Sequence, residues 1–246
     1  MSKGTALVVG ASRGIGRGLA TRLKNDGYKV IATVREAPSG EPLSAFDKVI
    51  EGVDVTDTQA CRDALRAGLA DVDQIDLLVY NAGIAVLVDN FATEPVADVD
   101  IDGVARQMDV NAIGALRVLQ AVDDKLKRGA KVLFLSTILA SLQTDFKGTM
   151  HGYRASKAAL NMLGKNISFE YGKRGIAVTL AHPGLVKTDM TNYMDGAISV
   201  DDSVSGLVRV IERMSLSEVA SSDDPSTTKS YHGALVDATT GDLIPW

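Results

Sequence analysis

Short runs of continuously apolar residues alternate along the whole chain with longer stretches in which apolar and polar positions follow a helical period. The runs Thr5–Val9, Lys29–Thr33, Lys48–Glu51, Ile75–Tyr80, Ala130–Leu135 and Ile176–Ala181 predict strands, with Ala234–Val236 as a late, weaker one. A strand with one face in water alternates apolar and polar residues. Most of these runs do not, which is the pattern of strands buried on both faces of a parallel sheet. Ile15–Asn25, Thr58–Ala70, Val104–Leu126, Tyr153–Tyr171 and Val200–Met214 predict helices. Asn25-Asp26-Gly27 and Lys173-Arg174-Gly175 each put a glycine where a helix can close in the left-handed conformation. Ser199 or Asp201 is placed to cap the last helix. Strand–helix–strand alternation predicts an α/β fold, a single Rossmann-type doubly wound parallel sheet with helices on both faces. No repeat or composition break divides residues 1–246, so one domain is expected.

Composition narrows the class. Apolar residues make up 46% and charged residues 23%, close to the globular average, which excludes disorder as the general state. The Ser-, Thr- and Asp-rich stretch Ser215–Ser230 reads as a solvated loop. Lys and Arg total 26 against 31 Asp and Glu, a net charge of −5, with no basic cluster of the kind a nucleic-acid partner requires. A single cysteine, Cys61, excludes an intrachain disulfide and suits a reducing compartment. No apolar stretch reaches the roughly 18 residues of a membrane span. The first strand starts almost at the first Met, leaving no room for a signal peptide, so a cytoplasmic location is expected.

The candidate chemistry lies at strand ends. After the first strand comes Gly10-Ala11-Ser12-Arg13-Gly14-Ile15-Gly16 and then a helix. Glycines allow a tight turn and close backbone approach, and the helix aims free N–H groups and a positive dipole end at a pyrophosphate. Dinucleotide binding by Gly10, Ser12, Arg13, Gly14, Ile15 and Gly16 is therefore expected. Enzymes that take NAD usually place an acid at the end of the second strand. Here the strand runs out at Ala32-Thr33-Val34-Arg35. Arg35 and Arg13 together suit a 2′-phosphate, with Glu36 as the rival that would favour NAD, so NADPH/NADP+ is the expected cofactor. Asp54-Val55 after the third strand is placed to flank an adenine. Asn81-Ala82-Gly83 after the fourth leaves room for a cofactor.

Tyr153 and Lys157 are four residues apart at the start of a helix and so share a face. A nearby ammonium, together with the positive nicotinamide of an oxidised cofactor, is expected to favour the phenolate of a group whose ordinary pKa is near ~10, making it a proton donor or acceptor near neutral pH. At this point the chain resembles the short-chain dehydrogenase/reductases over nearly its whole length. The Gly10–Gly16 turn, Asn81-Ala82-Gly83, Asn111, Ser136-Thr137, Tyr153-x-x-x-Lys157 and Pro183-Gly184 stand in that family's order. His182–Met190 and Gly241–Trp246 look more narrowly like its C-factor and sniffer-type carbonyl reductases.

The resemblance implies roles. Tyr153 would be the acid/base, and Lys157 would hold the nicotinamide ribose and lower the tyrosine pKa. Asn111 would hold a water in a proton relay, and Asn is a poor helix former inside Val104–Leu126. A serine usually orients the substrate carbonyl. Alignment through Ala140 puts Thr137 there, a departure that keeps the hydroxyl and adds a methyl, with Ser136 as the alternative. Tyr153, Lys157, Pro183, Gly184, Val186 and Thr188 would line the nicotinamide end, Thr188 at the amide. A longer loop, Gln143–Gly152, and the segment Asn192–Ala197 would wall the pocket. Met150, Met190, Tyr193 and Met194 there suggest tolerance of apolar groups. His151 reads as a solvated loop residue, His182 as structural and His232 as part of the polar tail. These scattered histidines make no metal site. Cys61 reads as passive.

The expected activity is NADPH-dependent reduction of a small ketone or aldehyde, with a homodimer or homotetramer built on the long helices. Two readings compete: an NADP(H)-binding signalling or sensor protein with little turnover, and an epimerase or dehydratase, which usually has a longer chain.

Overall fold

The computed structural model of the protein describes residues 2–36, 43–86, 93–144, 148–216 and 230–246. The strands are β1 (Thr5–Val9), β2 (Lys29–Thr33), β3 (Lys48–Ile50), β4 (Ile75–Tyr80), β5 (Leu126–Leu135), β6 (Ala177–His182), β7 (Leu235–Asp237) and β8 (Leu243–Ile244). They form one sheet in the order β3-β2-β1-β4-β5-β6-β7-β8. β1 through β7 pair in parallel, as in Leu7↔Ile31 and Leu7↔Leu78. β8 is antiparallel to β7, with Leu235 opposite Ile244. Two residues of a turn-rich tail are too short for periodicity to reveal, which is why that edge strand is absent from the sequence-based expectation.

Helices α1 (Gly14–Asn25) and α6 (Val200–Arg213) cover one face, and α2 (Thr58–Gly68), α4 (Gly114–Val122) and α5 (His151–Arg174) the other. α3 (Ile101–Met108) packs on α5. Successive strand residues feed two separate cores: Leu7 and Val9 join Leu65, Val118 and Leu160, while Ala6 and Val8 join Leu19, Leu207 and Ile211. Each fully buried side chain of this size stabilises by about 1.5–3 kcal/mol, so an apolar residue at every position is favoured. The helix ends follow the expected chemistry. Asp57 caps α2 by accepting the Gln59 and Ala60 N–H groups, Ser199 caps α6 through the Asp202 N–H, and Gly27 and Gly175 sit in left-handed turns at φ +96° and +82°. Among the described residues no helix is long and apolar enough to cross a membrane.

The expected continuous helix over Val104–Leu126 is corrected. α3 ends at Met108, a π-turn runs over Asp109–Ile113, and α4 resumes at Gly114 and stops at Val122. Leu126 already belongs to β5, opposite Ile75, and the exposed Lys127–Gly129 conceal that first part of the strand. The widened turn is held from the sheet, where the buried Tyr80 hydroxyl donates to the Val110 carbonyl at 2.6 Å. α5 starts at His151, so the expected loop ends two residues early. Residues 145–147 of that loop, and 217–229 of the polar stretch, lie outside the described residues.

Candidate active site

Ligands of open α/β sheets sit beyond the carboxyl ends of the strands where the strand order reverses, here between β1 and β4. Two adjoining cavities open at that place, one of about 730 Å³ and one of about 440 Å³, sharing Ile15, Asn81, Gly83, Thr188 and Met190.

The larger is a backbone-lined cradle bordered by Gly10, Ser12, Arg13, Gly14 and Ala82. Gly10 is left-handed at φ +83°, and a Cβ there would stand 2.9 Å from the Ala82 backbone. A Cβ on Gly16 would stand 2.3 Å from the Gly10 carbonyl oxygen. Asn81 Nδ2 donates to that same oxygen at 2.6 Å, tying the β4 end to the β1 turn. Arg13, at the N-cap of α1, makes no side-chain capping bond, so the first-turn N–H groups face the cradle without a side-chain acceptor. Such an arrangement fits a pyrophosphate.

The smaller cavity holds the titratable groups. Tyr153 and Lys157 both line it, and so do Ser136 and Thr137 from the turn after β5. Thr137 hydrogen-bonds to the Tyr153 phenol. Burial pushes the phenol up to about 12, and the Thr137 hydrogen bond pulls the other way. Lys157 Nζ donates to the Leu135 carbonyl at 2.8 Å, and burial brings its pKa down to about 8. Among the protein's own groups, burial dominates at the phenol over its polar neighbours. The opposing influence comes from a hydroxyl and not from the ammonium.

The lysine shift has a stability signature. Between about pH 8 and 10.5 the unfolded chain keeps a lysine proton that the folded protein has released, so stability rises with pH across that window. Removing the charge in Lys157→Met is expected to flatten this rise, by on the order of 3 kcal/mol at most. Chemical denaturation of both proteins at pH 7, 9 and 10 checks it, and an unchanged difference would contradict the assignment.

The two adjacent hydroxyls part ways. Ser136 Oγ donates to Asn161 Oδ1 at 2.6 Å, whereas Thr137 meets the phenol. Thr137→Val is therefore expected to cut turnover by about 10²–10³-fold, the usual effect of losing one donor at a developing oxyanion. Ser136→Ala is expected to act mainly on stability, by about 1–3 kcal/mol through the orphaned Asn161. Steady-state kinetics and melting of the two variants separate these outcomes.

Asn111 is fully buried in the π-turn. Its Nδ2 donates to the Ile84 carbonyl at 2.8 Å and to Ser156 Oγ at 2.9 Å, and its Oδ1 accepts the Ile84 N–H at 2.8 Å. Both amide hydrogens are thus engaged in joining the segment after β4 to α5. Gly83 passes over this group: a Cβ there would be 3.2 Å from Asn111 Oδ1 and 3.4 Å from Lys157 Nζ. π-turns of this kind are frequent at functional sites.

Pro183, Gly184, Val186 and Thr188, after β6, also line the smaller cavity. Other expected residues lie apart. Arg35 Nε is 4.0 Å from Glu36, while Arg13 Nη1 donates to Asp189 at 2.6 Å, so the two arginines are engaged by different acids. Asp54 is turned onto Thr56, accepting its N–H and hydroxyl, and the Val55 side chain is buried against Gly114. Neither borders the two cavities. Tyr193 borders the larger cavity only, with its hydroxyl on Asp189 at 2.7 Å, whereas Met150, Met190 and Met194 reach the smaller. Met150 does so from a left-handed backbone at φ +54°.

Two histidines differ from expectation. His151 is a half-buried helix residue whose Nε2 donates to the Glu94 carbonyl at 3.0 Å. His232 accepts the Val178 N–H on Nδ1 at 3.1 Å and so belongs to the packed edge beside β6. Cys61 is fully buried, its thiol pushed up to about 11 by burial. Ser156 and Asn161, which position Asn111 and Ser136, escaped the sequence reading. Their only signal is their place on the buried face of α5, three and eight residues after Tyr153.

Over 215 residues the chain is 36% identical to 1-hydroxy-2-glutathionyl-2-methyl-3-butene dehydrogenase of Rhodococcus, covering 85% of this chain and 91% of that one. Over 140 residues it is 37% identical to the C-signal of Myxococcus xanthus, 56% of this chain and 81% of that one. An NADPH-bound carbonyl reductase from chicken fatty liver superimposes with a TM-score of 0.82 over the full length of both chains at 26% identity. A short-chain dehydrogenase/reductase of Burkholderia multivorans with bound NADP does so at 0.80, covering 98% and 99%, at 27% identity. The family model of the short chain dehydrogenases matches residues 4–197, and with the glycine cradle and the paired Tyr153 and Lys157 at the switch point of the sheet, this chain belongs to that family of oxidoreductases.

Proposed function

We propose that this chain is an NADP(H)-dependent carbonyl reductase that converts a ketone or aldehyde to the alcohol. The carrying observation is that a half-buried Tyr153, hydrogen-bonded by Thr137 and followed one turn later by Lys157, lines a cavity adjoining the glycine cradle. When bound, the nicotinamide supplies a hydride to the carbonyl carbon. Thr137 orients the carbonyl oxygen, and Tyr153 gives that oxygen its proton as the C=O double bond becomes the C–O bond of an alcohol. A phenol held near 12 is fully protonated at neutral pH, the state that reduction requires. Lys157 holds the ribose, and the Asn111 bonds fix the floor beneath it. Arg13 and Arg35 supply positive charge for the 2′-phosphate, and the β2 end carries Arg35 where NAD enzymes carry an acid. The NADP-bound crystal neighbours support the same choice. Leu139, Leu185 and the three methionines favour an apolar substrate. Met162 and Phe169, exposed on α5, favour a homodimer or homotetramer joined through that helix.

Absorbance of NADPH followed with a panel of aryl and alkyl ketones and aldehydes tests the reading: ketone-dependent consumption is expected, and none across the panel overturns it. The likeness to the C-signal supports the sensor alternative, which predicts tight NADPH binding with no turnover. The Tyr153–Thr137 contact speaks against it, because binding alone needs no proton donor.

A further inference from the structure

Arg13 is placed at the mouth of the cradle, yet its guanidinium is taken by an acid from another part of the chain. Its Nη1 donates to Asp189 Oδ2 at 2.6 Å, the two side chains being 75% and 47% exposed. Asp189 opens the short helical turn Asp189–Thr191 after β6, and its other oxygen accepts the Tyr193 hydroxyl at 2.7 Å. That turn is tightly specified: Thr188 and Thr191 bond reciprocally across it, and Asn192 and Tyr193 are consecutive non-glycine residues in the left-handed region, at φ +47° and +53°. Two left-handed non-glycine residues in succession are uncommon and persist only where surrounding contacts impose them. The same turn carries Met190 and Met194 to the smaller cavity.

We propose that Asp189 is a resident competitor for Arg13, which the 2′-phosphate of NADP(H), and not NAD(H), displaces. The proposal rests on the cofactor reading above and adds the residue that tunes the preference. A guanidinium gains more from a phosphate dianion than from one carboxylate, because both charge and fork geometry match better. An exposed ion pair is weak, so the exchange is cheap. Until it occurs, the carboxylate stands at the rim with its own negative charge, kept ionised by the Tyr193 hydroxyl and by Arg13, which hold it below the usual carboxylate range. Displacement also leaves Asp189 bonded to Tyr193 alone, so cofactor loading reaches the turn that bears the substrate wall.

Asp189→Asn removes the charge and keeps an oxygen for Tyr193. Titration of the variant by nucleotide fluorescence, with the full chain, is expected to show NADPH binding tightened by about two- to fivefold, the range an exposed pair supports, and NADH binding unchanged. The gain should shrink as salt rises from about 50 mM to about 500 mM. In an Arg13→Gln background the same substitution is expected to give no gain, since nothing is left to compete for. NADPH and NADH affinities that shift together, an NADPH affinity that stays put or falls, or a gain that survives Arg13→Gln each overturns the proposal. Failure of the unmodified protein to bind NADPH would sink the cofactor reading itself. Binding that is indifferent to Asp189→Asn sinks only the competition.

Discussion

Tyr153→Phe is expected to lose about 10²–10⁴-fold in ketone-dependent turnover, the contribution of a positioned proton donor, while NADPH affinity stays within about twofold. The substitution removes one oxygen from a half-buried side chain and keeps the ring, so it opens no cavity in the core. It also removes the partner of the Thr137 hydroxyl, which still accepts the Leu139 N–H and retains one anchor. Stability should change little, because the phenol pays for its burial with a single hydrogen bond. The variant therefore separates chemistry from folding. Steady-state rates, nucleotide titration and melting on the same preparation decide the matter: full turnover in the variant would end the assignment of Tyr153 as donor, whatever the other two measurements show. Above pH 10 the pair should also differ in stability. The folded protein keeps the Tyr153 proton to about 12 while the unfolded chain releases it near ~10, so stability falls with pH in that window for the tyrosine protein alone.

Gly16→Ala is the second large effect. The added methyl would stand 2.3 Å from both the Gly10 carbonyl oxygen and Asn81 Nδ2, atoms that are bonded to each other at 2.6 Å. One of these is backbone, so the turn itself has to move, and with it the N-terminus of α1. Overpacking of this kind costs about 1–3 kcal/mol, which for a domain of this size lowers Tm by roughly 2–4 °C per kcal/mol. Cofactor affinity should fall further than stability, by at least about tenfold, because the displaced N–H groups are those that face the pyrophosphate. Thermal melting with and without NADPH reads both: the variant should melt lower and lose most of the stabilisation that saturating cofactor confers. An unaltered cofactor-dependent shift would show that Gly10–Gly16 is a turn and not a cradle.

Most of the fold is legible because burial on two faces forces a strand to be apolar at every position, and such runs stand out from their neighbours. Thr5–Val9, Lys29–Thr33 and Ile75–Tyr80 are placed by the apolar pattern at the bounds the structure has. Where local pattern and tertiary contact diverge, the pattern misleads. The π-turn at Asp109–Ile113 reads as plain helix because its apolar positions keep the helical period, with Asn111 the one discordant residue. What widens it is support from outside, Tyr80 holding the Val110 carbonyl and Ile84 receiving the Asn111 amide. The start of β5 hides in a charged segment for the converse reason, since Leu126 is strand only because Ile75 lies beside it.

The site divides along the same line. Local pattern was enough to single out the glycine turn and to set Tyr153 and Lys157 on one helix face, because these are arrangements of backbone freedom and helix periodicity, whereas the segment after β6 was placed by the resemblance to the family. Which of Ser136 and Thr137 meets the phenol, how burial acts on that phenol and which acid holds Arg13 were decided only when segments far apart in sequence came together. Hydrogen bonding and desolvation act over a few ångströms between residues that lie 16, 22, 25 or 176 positions apart, and no local pattern carries that information.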